Sequence, residues 1–154
     1  MEHKDTKTQS NISAEEYARL QSLSNAIIGA AIEVHRELGP GLLESVYEEC
    51  LRYELETKGL NVKTQVDLPL LYKGNNTGKQ FRIDMLVEDS FIVELKAVEM
   101  MKPLHDVQLL TYMKLANMHM GLLINFNVPV LKEGIKRKIN GRVEGTTVSY
   151  VENW

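Results

Sequence analysis

The sequence predicts a mixed α/β domain, with a four- or five-stranded sheet, a helix crossing one face and two helices ahead of it. Three observations predict it. Leu20, Leu23, Ile27, Ala30, Ala31, Val34 and Leu38 recur at helical spacing. Phe81 to Lys96 reads as two apolar runs around a short polar cluster, the pattern of a β-hairpin. A helical stretch opening at Pro103 then separates this hairpin from the apolar run Gly121-Leu122-Leu123-Ile124-Asn125-Phe126. A meander, a helical crossover and a further strand make a mixed sheet with a helix on its face.

Taken in order, residues 1–13 are polar and aperiodic and read as a flexible tail, and residues 14–154 read as a single domain. Ser13 followed by Glu16 is a capping-box pattern, so the first helix is expected to begin near Ala14 and run to about Leu38. Gly39-Pro40-Gly41 ends it. A second helix is expected from near Leu42, with Leu43, Val46, Tyr47, Cys50 and Leu51 as its apolar stripe and Gly59 at its end. Asn61 to Tyr72 is strand-like, and Pro69 points to an edge or a bulge. Lys73 to Gly78 is a turn cluster. Pro103 stands where proline is tolerated at a helix start; Leu104, Val107, Leu110, Tyr112, Met113 and Ala116 line that helix. The run from Gly121 suits a buried strand in a parallel or central place. Lys132 to Asn140 reads as one helical turn or a loop, and Thr146 to Val151 as a last strand.

The composition is that of an ordinary soluble domain, with 44% hydrophobic and 25% charged residues, and 154 residues suffice for one real core. No apolar run approaches the roughly 20 residues that span a bilayer. The polar start, Met1 to Asp5, lacks the apolar core of a signal peptide, so a cytoplasmic location is expected. The single cysteine, Cys50, excludes an internal disulfide. A net charge of −3 weakens a nucleic-acid reading without deciding it, because binding depends on local patches.

The hairpin carries three charged residues inside runs that should be buried: Asp84, Glu94 and Lys96. With Glu88-Asp89-Ser90 as the loop, Val87 pairs with Phe91. Asp84 then lies opposite Glu94, and Arg82 opposite Lys96. Ile83, Met85 and Val87 fall on the other face with Phe91, Val93 and Leu95. Two carboxylates about 4 Å apart repel by roughly 4 kcal/mol at an effective dielectric near 20. A shared proton, Lys96 or a bound cation would offset that. Two arrangements follow: an ion pair on a half-exposed sheet, or a small site for a hard cation with an ammonium beside it.

Other candidates carry two readings each. His35 is either a metal ligand or a cation at a helix C-terminus. Glu44 is either a charge favoured by the helix dipole or a carboxylate presented toward the hairpin. Gln108 and Tyr112 stand four apart, on one helical face. Lys132, Lys136, Arg137, Lys138 and Arg142 form either a phosphate-tracking patch or a solvated basic face.

This order of elements, with an acid on the second strand and Glu-x-Lys on the third, resembles the PD-(D/E)XK nuclease superfamily. The segment Gly41-Leu42-Leu43-Glu44-Ser45-Val46-Tyr47 resembles the naming motif of one of its small branches, the GxxExxY proteins. His35-x-x-Leu38-Gly39-Pro40-Gly41, the Asp84 strand, Glu94-Leu95-Lys96 and Gln108-Leu109-Leu110-Thr111-Tyr112 are similar to that branch as well, over about residues 22 to 140. One departure is Ile83, which stands where a proline gives the superfamily its name. The resemblance implies a restriction-endonuclease-like core, αβββαβ, behind N-terminal helices, and a Mg²⁺- or Mn²⁺-dependent nuclease. Asp84, Glu94 and Glu44 would then be metal carboxylates, with His35 a further ligand. Lys96 would position the attacking water or stabilise developing charge. Gln108 and Tyr112 would support the site, as in the Gln-x-x-x-Tyr motif of RecB-type nucleases, and Tyr47 would pack behind Glu44. DNA is the implied substrate, with RNA left open. It would be contacted by Lys136, Arg137, Lys138 and Tyr112, and a homodimer is the analogous assembly. The other function class is a non-cleaving nucleic-acid-binding or protein-assembly module on the same fold.

Overall fold

A computed structural model describes residues 11–145. Its elements, in chain order, are β1 (Asn11–Ile12), α1 (Ala14–Leu38), α2 (Glu44–Thr57), β2 (Val62–Tyr72), β3 (Asn75–Val87), β4 (Phe91–Lys96), α3 (Pro103–Ala116), β5 (Met120–Asn125), a 3₁₀ turn (Leu131–Gly134), β6 (Ile135–Ile139) and β7 (Arg142–Val143). Five strands form one mixed sheet in the order β2-β3-β4-β5-β6. Only β4 and β5 are parallel within it, and α3 is the crossover between them. This is the expected mixed α/β architecture, consistent with a restriction-endonuclease-like core. Among the described residues, no helix is long and apolar enough to cross a membrane.

The helices lie on opposite faces. Leu20, Ile27 and Val34 of α1 and Tyr47, Leu51 and Leu55 of α2 share one buried cluster with Met85, Val87, Phe91, Val93 and Leu95. Leu109 and Met113 of α3 pack on the other face against Ile83, Leu86, Ile92 and Leu123. With both faces covered, β5 is buried along its whole length, which its unbroken apolar run anticipates. Gly121 lets α3 come close: a Cβ there would stand 2.9 Å from the Ile92 carbonyl oxygen and 3.1 Å from Met113 Sδ.

The start of α1 matches its capping signal, with Ser13 Oγ accepting from Glu16 N–H at 3.0 Å. Pro69 lies on β2, the edge strand. The turn between β2 and β3 is tighter than the polar cluster suggests. Lys73 and Gly74 both take positive φ, as in a type I′ turn, and Asn75 already pairs with Tyr72.

Several expectations are corrected. Asn11 and Ile12 do not belong to a tail: they pair in parallel with Arg142 and Val143, and Ile12 is buried in the larger cluster. α2 begins at Glu44, and Leu43 and Val46 are exposed because its buried stripe is Tyr47, Leu51 and Leu55. On α3, Leu104 and Val107 face outward, and Leu109 and Met113 make the contact with the sheet. Lys136 to Lys138 belong to strand β6, which closes the sheet beside β5. The strand expected over Thr146 to Val151 lies outside the described residues.

Candidate active site

The hairpin register is the expected one as far as it runs, with Val87 opposite Phe91 and Met85 opposite Val93. One step further the ladder stops, and the two carboxylates take over. The backbone N–H of Asp84 donates to Glu94 Oε2 at 2.9 Å, and the N–H of Leu95 donates to Asp84 Oδ2 at 2.9 Å. A buried N–H must find an acceptor, and here each acid supplies the one that the parted strand no longer offers. One oxygen of each carboxylate is used in this way.

On its other side, β3 also leaves its ladder at Asp84. Thr64 pairs with Met85 and Val66 with Ile83, but the intervening Gln65–Asp84 pair is missing, and Gln65 has φ +52°. The side-chain alternation shifts there. Ile83 therefore packs with the α3 cluster, not with Met85 and Val87 as strict alternation requires. Arg82 is likewise not opposite Lys96 but forms a two-pronged pair with Asp67, at 2.7 and 3.1 Å.

Glu94 is only 4% exposed. Burial, then the charge of Asp84, pushes its carboxyl up to about 8; Glu44 adds to the rise, while the Asp84 N–H and Lys96 oppose it. Asp84 and Lys96 are both partly exposed, so the group is reachable from solvent. Next to it, Glu44, Ser45, Glu48, Gln65, Asp84 and Leu95 line a cleft of about 380 Å³.

Tyr47 sets where Glu44 enters. Its hydroxyl donates to the Gly39 carbonyl at 2.6 Å and accepts from Leu42 N–H at 3.1 Å, and its ring stacks on Phe126 at 4.4 Å. Gly39 and Gly41 take positive φ in the turn so held. Glu44 is then the first residue of α2, where the dipole favours its charge, and it borders the cleft.

From the α3 side, Gln108 Nε2 donates to the Tyr112 hydroxyl at 3.1 Å, and the Tyr112 ring tilts against Phe81 at 5.1 Å. Burial and then the charges of Glu94 and Asp84 raise the Tyr112 hydroxyl above its ordinary range, so this tyrosine stands within electrostatic reach of both acids. Lys96 is fixed by its backbone, whose carbonyl accepts from Phe126 N–H at 2.9 Å. Beyond it, Asn125 clamps the chain by donating to the Val98 carbonyl at 2.9 Å and accepting from the Val98 N–H at 3.1 Å.

Two expected contributions are corrected. His35 turns its Nε2 to the Val128 carbonyl at 2.8 Å, so it ties α1 to the loop after β5 and does not join the acids. Lys136 and Lys138 both meet Asp106 of α3, at 3.0 and 3.5 Å, and Arg137 and Lys138 are 4% and 6% exposed. Lys136 and Lys138 thus fasten β6 to the crossover helix; Arg137 and Lys138 are buried, while the Lys136 side chain stays 39% exposed. Sequence reasoning missed Glu48 and Gln65. Gln65 Nε2 donates to Glu48 Oε1 at 2.7 Å and to Asp84 Oδ1 at 3.4 Å. Burial above all raises the Glu48 carboxyl, and the Asp84 charge adds to it. The signal for Glu48 was its spacing, four residues after Glu44 and so on one helical face. Nothing in the sequence marks Gln65.

Chemically the arrangement offers two carboxylates, each with an oxygen left over, a third carboxylate at a helix start and one ammonium. Among the described residues, no three His, Cys, Asp or Glu side chains converge tightly enough to form a ready cage for a metal ion. Comparison with curated proteins and with solved structures gives no match. The profile of one family, described as PD-(D/E)XK nuclease superfamily, matches residues 21–138. That span runs from α1 into β6 and contains Glu44, Asp84, Glu94, Lys96 and Gln108. The chain belongs to the PD-(D/E)XK nuclease superfamily.

Proposed function

We propose that the protein is a metal-dependent nuclease of the GxxExxY branch that hydrolyses phosphodiester bonds in DNA. The observation that carries this reading is the crossed pair Asp84 and Glu94, with Lys96 two residues beyond Glu94 on the same strand. Neither a purely structural ion pair nor a hydrophobic core needs a carboxyl as buried and as strongly raised as that of Glu94.

The residues fit a hard divalent cation. Mg²⁺ keeps most of its waters and is held by one or two carboxylates together with substrate phosphate, so it does not require a closed protein cage. Asp84 and Glu94 would hold it, with Glu44 as the added carboxylate, and Mg²⁺ or Mn²⁺ suits this all-oxygen set. When bound, such a cation supplies charge neutralisation at the phosphate and activation of a water. The chain's own part is positioning and charge. The exchanged backbone bonds aim the remaining oxygens of Asp84 and Glu94. Lys96 supplies a cationic donor for the oxygen on which charge develops. Gln108 orients the Tyr112 hydroxyl beside the acids.

The test is a cleavage screen with Mn²⁺ on single-stranded, duplex and branched DNA and on RNA, run beside Lys96→Ala. Cleavage by the wild type that Lys96→Ala abolishes supports the reading. A wild type that binds one of these nucleic acids tightly and cuts none is instead a binding module.

A further inference from the structure

The geometry points to Gln65 as a positioning residue for Asp84, one that joins Asp84 to Glu48 through its side-chain amide and so fixes the second oxygen of Asp84 for a cation. This inference rests on the nuclease reading above.

Four observations converge on this residue. Gln65 sits inside β2 with φ +52°, a conformation uncommon for residues other than glycine and asparagine. Beside Asp84 the distortion is confined to the missing pair between Gln65 and Asp84, with regular pairs on either side at Thr64–Met85 and Val66–Ile83; the ladder's register shift lies farther along, between Pro69 and Leu71. The amide borders the acidic cleft and bonds Glu48 Oε1 at 2.7 Å and Asp84 Oδ1 at 3.4 Å. Finally, Asp84 Oδ2 is already committed to the Leu95 N–H. The oxygen that Gln65 holds is the one left for chemistry.

A glycine would adopt this backbone without strain, yet the chain places an amide there. Strained backbone at a site is held by its surroundings and often serves the site. The chemistry of the amide explains the choice. Its two N–H groups can bond two carboxylates at once and so ease their repulsion. Being neutral, it does so without the positive charge with which a lysine or arginine would compete against a metal ion. Glu48 anchors the amide from α2, and the longer bond to Asp84 leaves that oxygen free to shift its allegiance. Partners of this kind, one step behind the ligands, tune metal affinity by roughly 10- to 100-fold.

The experiment compares wild type with Gln65→Gly and Gln65→Asn. Glycine removes the amide and relieves the backbone, so the melting temperature should hold or rise. Mn²⁺ affinity, measured by titration calorimetry, should fall about 10-fold. On a cleaved DNA substrate, kcat should fall and KM stay. Asparagine keeps an amide and tolerates positive φ, so it should recover part of the affinity. A merely structural distortion predicts the same stability but unchanged Mn²⁺ affinity in Gln65→Gly, and that result overturns the positioning role. The bridge itself is read without metal: the ¹⁵N-labelled side-chain amide signal of Gln65 should move in Glu48→Gln, and an unmoved signal overturns it. A wild type that takes up no Mn²⁺ overturns the nuclease reading and the role in cation binding with it, whereas normal uptake by both wild type and Gln65→Gly overturns the role alone.

Discussion

Asp84 and Glu94 each complete the other's strand: the Asp84 N–H bonds the Glu94 carboxylate, and the Asp84 carboxylate takes the N–H of Leu95, both at 2.9 Å. The pairing ends the β3–β4 ladder and begins a site within one residue. It holds two carboxyl groups together in a place where one of them is nearly without solvent, which keeps a proton on Glu94 up to about pH 8.

Asp84→Asn tests the repulsion directly. Asparagine keeps an oxygen for the Leu95 N–H and removes the charge. Above about pH 8, where Glu94 ionises, the metal-free protein should become more stable, on the order of 1 kcal/mol, because the buried Glu94 carboxylate loses a like charge. Mn²⁺ raises the melting temperature of a protein that binds it only when folded, and this increment should vanish in the variant. Equal Mn²⁺ stabilisation of both proteins in a thermal melt would reject Asp84 as a ligand.

Glu94 also sets a pH dependence for the metal-free protein. Its carboxyl is raised to about 8 in the folded chain, above the ordinary carboxylate value of 4.5. Between those two values the folded state retains a proton that the unfolded state has lost. Stability is therefore highest below the unfolded pKa and declines as pH rises toward 8, by on the order of 1 kcal/mol per pH unit in mid-window. Glu94→Gln keeps an acceptor for the Asp84 N–H and has nothing to titrate. Urea midpoints measured from pH 5 to 9 should slope downward in the wild type relative to Glu94→Gln; parallel curves would contradict the assignment.

Tyr47→Phe should destabilise without touching the acids. It strips a hydrogen bond from each of the Leu42 N–H and the Gly39 carbonyl, at a loss of about 1–2 kcal/mol. Because those bonds hold the turn that presents Glu44, Mn²⁺ affinity should drop modestly alongside stability. Loss of stability with no change in calorimetric Mn²⁺ affinity would remove Glu44 from the ligand set.

Much of this site was legible because strand chemistry is periodic. Once Val87 was set against Phe91, Asp84 had to meet Glu94. Glu44 and Tyr47 were legible from a helix start after Gly-Pro-Gly. The pattern failed where the backbone stops being periodic. Gln65 leaves the β region inside a strand, and no residue type announces that, so the face of Ile83 and the partner of Arg82 were both misread. The basic cluster failed for another reason. Lysine and arginine look solvated in a sequence, and only the packing of β6 under α3 brings Asp106 to Lys136 and Lys138.

That packing gives a different expectation for the basic cluster. Lys138→Ala should act on the fold: it removes a buried partner of the partly buried Asp106 carboxylate. A loss of about 1–3 kcal/mol is expected. The salt dependence of DNA binding should keep its slope, because a lysine engaged inside the fold releases no counterion from a phosphate. A stable Lys138→Ala protein whose binding slope flattens would restore the cluster as a phosphate contact.

Lys96→Ala should do the opposite. The side chain is partly exposed at the end of β4, and its strand is held by backbone bonds to β5 and by the clamp of Asn125, none of which the substitution removes. The fold should be retained. Without the ammonium, Glu94 loses the one neighbouring charge that eases its ionisation, so its carboxyl should rise further and Mn²⁺ uptake should need a somewhat higher pH. The larger effect falls on the reaction. A cation aimed at a developing oxyanion stabilises a transition state by several kcal/mol, and each 1.36 kcal/mol is tenfold in rate. Single-turnover cleavage at saturating Mn²⁺ should therefore slow by roughly 100-fold or more in Lys96→Ala, with DNA affinity nearly unchanged. Lysine to arginine, which keeps the charge and alters its shape, should recover part of that loss. A Lys96→Ala protein that cuts at the wild-type rate would leave the ammonium with no part in the chemistry.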